Sequence, residues 1–260
     1  MPQTPREKGS SIIRVLEMLE TIALAERPMS ATDVAFELEI PKASAHRLVQ
    51  TLENEGYIQT NMRGNLVAAK RLNNIALGIL QSSNLKDQRR AILENLTLEI
   101  DETCGISLPD GTEMIYYDRV QANWPLQVYL PIGSRVPISC TSGGKLYMSQ
   151  MPVPKLKRLI DNIPLTKRAR NTIIDKQQLF DEIMHIRDSG IGLDNEEFID
   201  GMVACSVAIN VHGKFHAALF CHAPVIRKSM DDLLLYAPHL LRAAGKITAL
   251  LEEQESGCIE

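Results

Sequence analysis

The sequence has no Cys-x-x-Cys pair, no long apolar run and no signal-peptide pattern. Its five cysteines are an odd number and lie far apart, which argues against a disulfide framework or a zinc site and favours a reducing compartment. No apolar run approaches the roughly 20 residues that span a membrane, and residues 1–9 are polar. We therefore expect a cytoplasmic protein with no metal and no membrane partner.

Several common enzyme motifs are also missing. The Gly-Lys pair at 144–145 is followed by leucine, and no glycine lies five positions before it, so it is not a P-loop. His212 and His216 are four apart, but Gly213 interrupts any helix between them, and no Gly-x-Ser-x-Gly is present. The acids in 194–197 could form an acid–base pair, although such runs are usually solvated loops. We expect no catalytic residue and no cofactor. The alternative is an enzyme, or a metal or redox sensor, acting on a small carboxylate.

The clearest local pattern lies near the amino end of a chain whose 260 residues predict two domains. Ser30 predicts a helix N-cap, with Asp33 placed to reach back to it. The Ile-Pro pair at 40–41 ends that helix and starts another, which Gly56 ends. The turn-rich segment 61–65, between two short apolar runs, predicts a hairpin. This order is that of a winged helix-turn-helix, which places its second helix in the major groove.

The predicted second helix, residues 42–55, has an apolar stripe that leaves a polar face opposite. Lys42 and Arg47 could neutralise phosphates, and Arg47, His46 and Gln50 could donate to base edges. The predicted DNA-binding residues are Ser30, Lys42, Ala43, Ser44, His46, Arg47, Gln50 and Arg63. The alternative is a pair of ordinary helices with a solvated face, because residues 1–70 hold eight lysines and arginines against nine aspartates and glutamates. DNA binding would then require a focused basic patch.

Other segments show helical or strand periodicity. An apolar stripe at 12–23 predicts a supporting helix, and another at 70–84 predicts a connector that either pairs two subunits or packs on its own domain. Beyond residue 86 helices and strands are interspersed. Strands are predicted at 104–108, 113–118, 126–130, 204–211 and 215–222, and helices at 91–102, 155–161, 176–189 and 229–253. Hairpin strands with interspersed helices predict an α+β domain on an antiparallel sheet.

Several motifs occur in order along almost the whole chain. They are Pro41-Lys-Ala-Ser-Ala-His-Arg, Glu55-Gly-Tyr-Ile, Gly133-Ser-Arg-Val-Pro, Thr141-Ser-Gly-Gly-Lys, Gly190-Ile-Gly-Leu-Asp-Asn-Glu-Glu-Phe, Gly201-Met and Ala217-Ala-Leu-Phe-Cys-His-Ala-Pro. Through them the chain resembles the IclR family of bacterial transcriptional regulators. The resemblance implies a winged helix-turn-helix at 1–69, a linker helix at 70–84 and a GAF-like effector-binding domain at 85–255. It also implies homodimers or homotetramers that bind double-stranded operator DNA.

The resemblance further implies a pocket for a small organic acid. The turn at Ser142 and Gly143 corresponds to the stretch whose backbone amides hold a carboxylate, a task that helix-start N–H groups suit. Asp194 matches a polar pocket acid. The full set of expected effector-binding residues is Val128, Val136, Ser142, Gly143, Asp194, Met202, Ala204, Phe220 and His222.

Three pocket positions depart from the members that bind glyoxylate-like acids. Ala204 stands where some of them have a cysteine, and Phe220 and His222 stand where they carry hydroxyl residues. We therefore expect an aromatic or bulkier organic acid, with His222 as a partner for its charge. Plainer interpretations also exist, since Phe220 could be core and a buried histidine commonly bonds its neighbours. The predicted function is a regulator whose operator binding this acid modulates, controlling a catabolic operon.

Overall fold

The computed structural model describes residues 11–25, 27–82, 85–125 and 128–257. The chain divides into two compact units, residues 1–83 and residues 84–260. Among the described residues, none of the helices combines the length and apolar character that crossing a membrane requires.

The amino-terminal unit has three helices, a hairpin and a fourth helix. In chain order these are α1 (Ser11–Leu24), α2 (Ala31–Glu37), α3 (Lys42–Asn54), β1 (Ile58–Thr60), β2 (Leu66–Ala68) and α4 (Lys70–Ser82). The two strands pair antiparallel, with Thr60 opposite Leu66. The helix-turn-helix and its hairpin are therefore present as predicted. The connector helix predicted at 70–84 is helical to residue 82, and residues 83–84 lie outside the described residues.

Local signals set the ends of these helices. The Ser30 hydroxyl accepts the Asp33 N–H at 3.2 Å, and the Asp33 carboxylate accepts the Ser30 N–H at 2.8 Å. This reciprocal pair confirms the predicted cap of α2. Pro41 is the N-cap of α3, and Gly56 follows that helix with a left-handed φ of 73°. Both residues therefore act at the ends of α3, as predicted.

The core of this unit lies where α1, α2 and α3 meet the hairpin. Its buried residues are Met18, Val34, Ala35, Ala45, Val49, Leu52, Ile58 and Leu66. The predicted stripe of α1 is wrong in part. Ile12 and Leu16 are 71% and 54% exposed, whereas Met18 is fully buried. The side of α1 that faces the core is that of Val15, Met18 and Leu19.

The carboxyl-terminal unit is an α+β fold around one six-stranded antiparallel sheet, whose strand order is β5-β4-β3-β8-β7-β6. Its elements are α5 (Leu85–Ile100), β3 (Thr103–Asp110), β4 (Glu113–Val120), β5 (Arg135–Pro137), α6 (Ser142–Ser149), α7 (Val153–Asn162), α8 (Lys176–Ser189), β6 (Ile191–Asn195), β7 (Met202–Val211), β8 (Lys214–Pro224), α9 (Met230–Leu234) and α10 (Ala237–Gly257). The antiparallel α+β prediction is confirmed.

Two strand predictions need correction. Residues 128–130 are irregular rather than extended, and residues 126–127 lie outside the described residues. The carbonyls of Val128 and Leu130 accept hydrogen bonds from the Arg119 guanidinium at 2.7 and 3.2 Å, in place of a neighbouring strand. The third strand of the carboxyl-terminal unit is instead β5. Strand β6, which includes Asp194, the first acid of 194–197, has no counterpart among the predicted strands.

Helices cover both faces of the sheet. α5, α9 and α10 pack on one face, and α6 lies across the other with α8 against it. Cys104, Cys221 and Cys205 stand side by side on β3, β8 and β7, because Cys221 pairs in register with both others. All three are buried free thiols, and the Cys205 Sγ lies 3.5 Å from the Leu233 carbonyl of α9. Their neighbours along the strands consequently face α6.

Candidate operator-binding surface and effector cavity

Helix α3 presents one exposed polar face. Ala45, Val49 and Leu52 are buried and fix the helix in the core, which leaves Lys42, Ala43, His46, Arg47 and Gln50 exposed. Within the described ranges, neither Lys42 nor Arg47 has a carboxylate at ion-pair distance. Both cations are therefore available to an anionic ligand such as a phosphate backbone.

The remaining predicted DNA-binding residues flank this face. Arg63 is exposed at the hairpin tip, where the Asn61 side chain accepts its backbone N–H at 2.9 Å. Ser44 is half-buried, and so is Ser30, whose hydroxyl is already engaged in the cap of α2. The prediction did not include Glu53, which accepts the Thr60 hydroxyl at 2.6 Å and ties α3 to β1.

A small cavity lies between the start of α6 and the facing side of the sheet. The space open to the centre of a water-sized sphere is about 10 Å³, which is room for about one water molecule. Its lining residues come from seven separate segments: Ser107, Met114, Tyr116, Val136, Thr141, Ser142, Gly143, Asp194, Phe198, Met202, Ala204 and Phe220.

Most of the predicted effector residues meet at this cavity. Val136, Ser142, Gly143, Asp194, Met202, Ala204 and Phe220 all line it, whereas Val128 and His222 do not. Five further lining residues were not predicted from the sequence: Ser107, Met114, Tyr116, Thr141 and Phe198. Part of the missing signal lay in the predicted hairpin, because a strand sends every second side chain to the same face. Gly105 and Ser107 are two positions apart in the first strand of that hairpin, so they lie on the same face of the sheet. This spacing could have indicated Ser107.

Two glycines bring the start of α6 onto the sheet. A Cβ at Gly144 would lie 2.3 Å from the Cα of Ile138, and a Cβ at Gly143 would lie 2.9 Å from the Ser107 hydroxyl. The first N–H groups of a helix have no partner inside it. The Thr141 side chain does not cap them, and its hydroxyl donates to the Pro137 carbonyl at 2.7 Å. The positive end of α6 therefore faces the cavity, where it favours an anion.

Asp194 is a second polar group that lines the cavity. It is 1% exposed, and its Oδ1 accepts the N–H groups of Glu197 and Phe198 at 2.8 and 3.3 Å. Burial, assisted by the nearby charge of Glu197, raises its pKa to about 7. Near neutral pH the carboxyl is partly protonated, and in that form it can donate a hydrogen bond to a bound carboxylate.

A buried ion cluster supports the loop that holds Asp194. Lys145 of α6 is fully buried, and its Nζ lies 2.9 Å from Glu182 and 2.5 Å from Glu197. Burial raises the pKa of Glu197, although the Lys145 charge opposes that rise. The expectation that 194–197 is a solvated loop is therefore wrong for Asp194 and Glu197. In the part of the chain that the structure describes, no group of three or more His, Cys, Asp or Glu side chains could hold a metal ion.

His222 lies behind the cavity, on the far side of Phe220. It is 3% exposed, and among the described residues neither ring nitrogen has a hydrogen-bond partner. Burial, together with the charge of Arg119, lowers its pKa to about 3, so the ring is neutral. The Phe220 ring centroid is 6.0 Å from that of His222 and 4.7 Å from that of Tyr116. Phe220 thus separates His222 from the cavity.

Two family profiles match the chain. The IclR helix-turn-helix domain matches residues 11–61, and the bacterial transcriptional regulator IclR C-terminal domain matches residues 77–249. The chain is 31% identical over 242 residues to SauR of Cupriavidus necator, described as a probable transcriptional regulator. That alignment covers 92% of this chain and 96% of SauR.

Solved structures show the same fold. The crystal structure of the Thermotoga maritima IclR protein has a TM-score of 0.63 at 23% identity and covers 93% of this chain and 98% of that one. An IclR homologue from Microbacterium hydrocarbonoxydans, solved in complex with 4-hydroxybenzoate, has a TM-score of 0.57 at 19% identity and covers 92% and 98%. The chain belongs to the IclR family of bacterial transcriptional regulators and is a DNA-binding regulator rather than an enzyme.

Proposed function

We propose that this regulator binds operator DNA through the exposed face of α3 and the hairpin tip. A small organic acid in the carboxyl-terminal cavity alters that binding and so controls a catabolic operon. The observation that carries the effector part of the proposal is the single cavity that joins the start of α6 to the buried carboxyl of Asp194. An anion-binding helix end and a neutral hydrogen-bond donor together suit a carboxylate.

The lining of the cavity supports an acid with an aromatic or bulky body. Tyr116, Phe198 and Phe220 contribute rings, and Met202 and Ala204 contribute apolar walls. Glyoxylate and pyruvate have almost no apolar surface to place against them. The Microbacterium relative was solved with 4-hydroxybenzoate, an acid of the class that we propose here. Because the space in the cavity is only about 10 Å³, such an acid must displace side chains when it binds.

The coupling between acid and DNA follows from linkage. In a homodimer, or in each dimer of a homotetramer, two copies of α3 meet two half-sites, so the spacing of the copies sets the operator affinity. An acid that binds one arrangement of the copies more tightly shifts the population towards it. The change in operator affinity cannot exceed the ratio of the acid's affinities for the two arrangements.

Substitutions on α3 test the DNA-binding surface. Arg47→Ala should lower operator affinity by about 1–3 kcal/mol if the guanidinium makes a bidentate base contact. Lys42→Ala should weaken binding to all DNA sequences equally. It should also reduce by about one the slope of log affinity against log salt concentration. Lys246, exposed on α10, provides a matched control, because Lys246→Ala removes the same charge elsewhere. Gel shifts over a series of salt concentrations measure these affinities. Unchanged binding by both α3 variants would contradict the placement of α3 in the major groove.

Calorimetric titration of the full-length protein tests the effector class. We expect benzoate and 4-hydroxybenzoate to bind and glyoxylate and pyruvate to bind weakly or not at all. Ala204→Leu, which fills the cavity from β7, should abolish acid binding while DNA binding without acid is retained. Binding of glyoxylate or pyruvate alone would refute the aromatic-acid proposal.

A further inference from the structure

We propose that the effector has a second polar group at the end opposite its carboxylate, and that His222 and Arg119 bind this group once Phe220 moves aside. This inference rests on the proposed function and narrows the effector to para-substituted aromatic acids with a hydroxyl or carboxyl group.

The strand register places the two polar ends on one line across the sheet. Asp194 pairs with Ala204, Ala204 pairs with His222, and His222 pairs with Thr103. Asp194 and His222 therefore lie on the same face, two strand spacings or about 10 Å apart. Between them Ala204 offers only a methyl group. A flat ligand with a polar group at each end can lie over that alanine.

His222 is the first reason to expect a ligand at the second end. Buried polar groups almost always have hydrogen-bond partners, yet both ring nitrogens lack one within the described ranges. The neutral ring has one donor and one acceptor. It can therefore accept from a phenolic hydroxyl through one nitrogen or donate to a carboxylate through the other.

Arg119 is the second reason to expect a polar ligand group near His222. Gly105 pairs with both Arg119 and Phe220, so Arg119 lies on the face of the sheet that carries Phe220 and His222. Its side chain is largely buried, and it has no carboxylate partner among the described residues. Two of its nitrogens hold the carbonyls of Val128 and Leu130, but Nε has no acceptor. A buried cation without an anion is costly, and a ligand oxygen would offset that cost.

Phe220 lines the cavity, and its ring stacks with that of His222, which does not line it. The Phe220 ring fills the space over Gly105, since a Cβ there would lie 2.5 Å from the ring. The Phe220 ring centroid lies 4.7 Å from that of Tyr116 and 6.0 Å from that of His222. Rotation of the Phe220 side chain would open the small cavity towards His222.

Calorimetry on the full-length protein with matched ligands tests this inference. The probes are benzoate, 4-methylbenzoate, 4-hydroxybenzoate and terephthalate, because the methyl and hydroxyl compounds differ in polarity and hardly in size. We expect the wild type to bind 4-hydroxybenzoate at least tenfold more tightly than 4-methylbenzoate. In His222→Leu the affinities for 4-hydroxybenzoate and 4-methylbenzoate should lie within about twofold of each other. Arg119→Lys should lower the affinity for terephthalate more than the affinity for benzoate.

The outcomes separate the inference from the proposed function. If the wild type binds benzoate and 4-methylbenzoate as tightly as the two-ended acids, the second polar site is refuted and the aromatic-acid proposal stands. If the hydroxyl preference survives in His222→Leu, the inference is equally refuted. If none of the four acids binds, the proposed function fails as well. A thermal melt of each variant shows that it is folded, and His222→Leu decides the matter if Arg119→Lys does not fold.

Discussion

The replacement of His222 by leucine should stabilise the carboxyl-terminal unit. The imidazole is buried, and within the described residues neither nitrogen is hydrogen-bonded. A buried polar group without a partner costs about 1–3 kcal/mol, and leucine has a similar volume without that cost. We therefore expect the free energy of unfolding at pH 8 to rise by about 1–3 kcal/mol in His222→Leu.

The gain should grow as the pH falls. The pKa of His222 is about 3 in the folded chain against 6.5 for the ordinary side chain. Between these values the unfolded chain binds a proton that the folded chain does not, so wild-type stability falls by about 1.4 kcal/mol per pH unit. The leucine variant has no titratable group at this position, so its free energy of unfolding does not fall in this way. The difference between variant and wild type should thus be about 1.4 kcal/mol larger at pH 5.5 than at pH 8.

Urea titration followed by tryptophan fluorescence measures this difference. Trp124 is the only tryptophan in the sequence and lies in the carboxyl-terminal unit, so its signal reports that unit. His185→Leu, on an exposed position of α8, is the matched control and should change stability by no more than about 0.5 kcal/mol. A His222→Leu variant that is less stable than the wild type at pH 8, or whose advantage does not increase at pH 5.5, would refute the reasoning.

Three further substitutions test other parts of the structure. Ser30→Ala removes the cap of α2 and should cost about 0.5–2 kcal/mol in urea denaturation; no loss would contradict the capping role. Gly144→Ala should cost at least about 1–3 kcal/mol, because its Cβ would lie against backbone, whereas Gly245→Ala on α10 should not destabilise. Acid affinity should fall about tenfold from pH 6 to pH 8, because the pKa of Asp194 is about 7 and binding needs its protonated form. In Asp194→Asn calorimetry should show equal affinity at both values, and a tenfold fall there would contradict this role.

The helix-turn-helix could be predicted because its signals are local. Ser30 with Asp33, and Pro41 before α3, act within a few residues of the elements that they start. The periodicity of α3 likewise fixed which side would be buried. In α1 the apolar residues occupy a wider part of the helix surface than the part that contacts the core. Sequence alone therefore did not show that Ile12 and Leu16 face outward.

The sheet was predicted less completely, because distant partners decide strand pairing. The segment containing Val128 has the apolar alternation of a strand, but its carbonyls bind Arg119, which the sequence does not reveal. Strand β6 is short, and the acids in and just after it suggested solvent exposure. Lys145, 52 residues away from Glu197, neutralises that carboxylate inside the core.

The candidate site, too, could be predicted only in part from the sequence. Ser142, Gly143 and Asp194 were placed through the family resemblance, and they do line one cavity. His222 was expected to face the effector directly, but the Phe220 ring lies between it and the cavity. The missing hydrogen-bond partners of His222 are a property of the folded environment, so only the structure could show them.

The most direct test of the account combines sequence selection with the effector. Full-length protein is used to enrich duplexes from a random DNA library, and affinity for the enriched duplex is measured at fixed salt with and without 4-hydroxybenzoate. We predict that the wild type enriches a defined motif, that Arg47→Ala does not, and that the acid changes the dissociation constant at least fivefold. Failure to enrich any motif, or an affinity that stays constant with an acid that calorimetry shows to be bound, would contradict it.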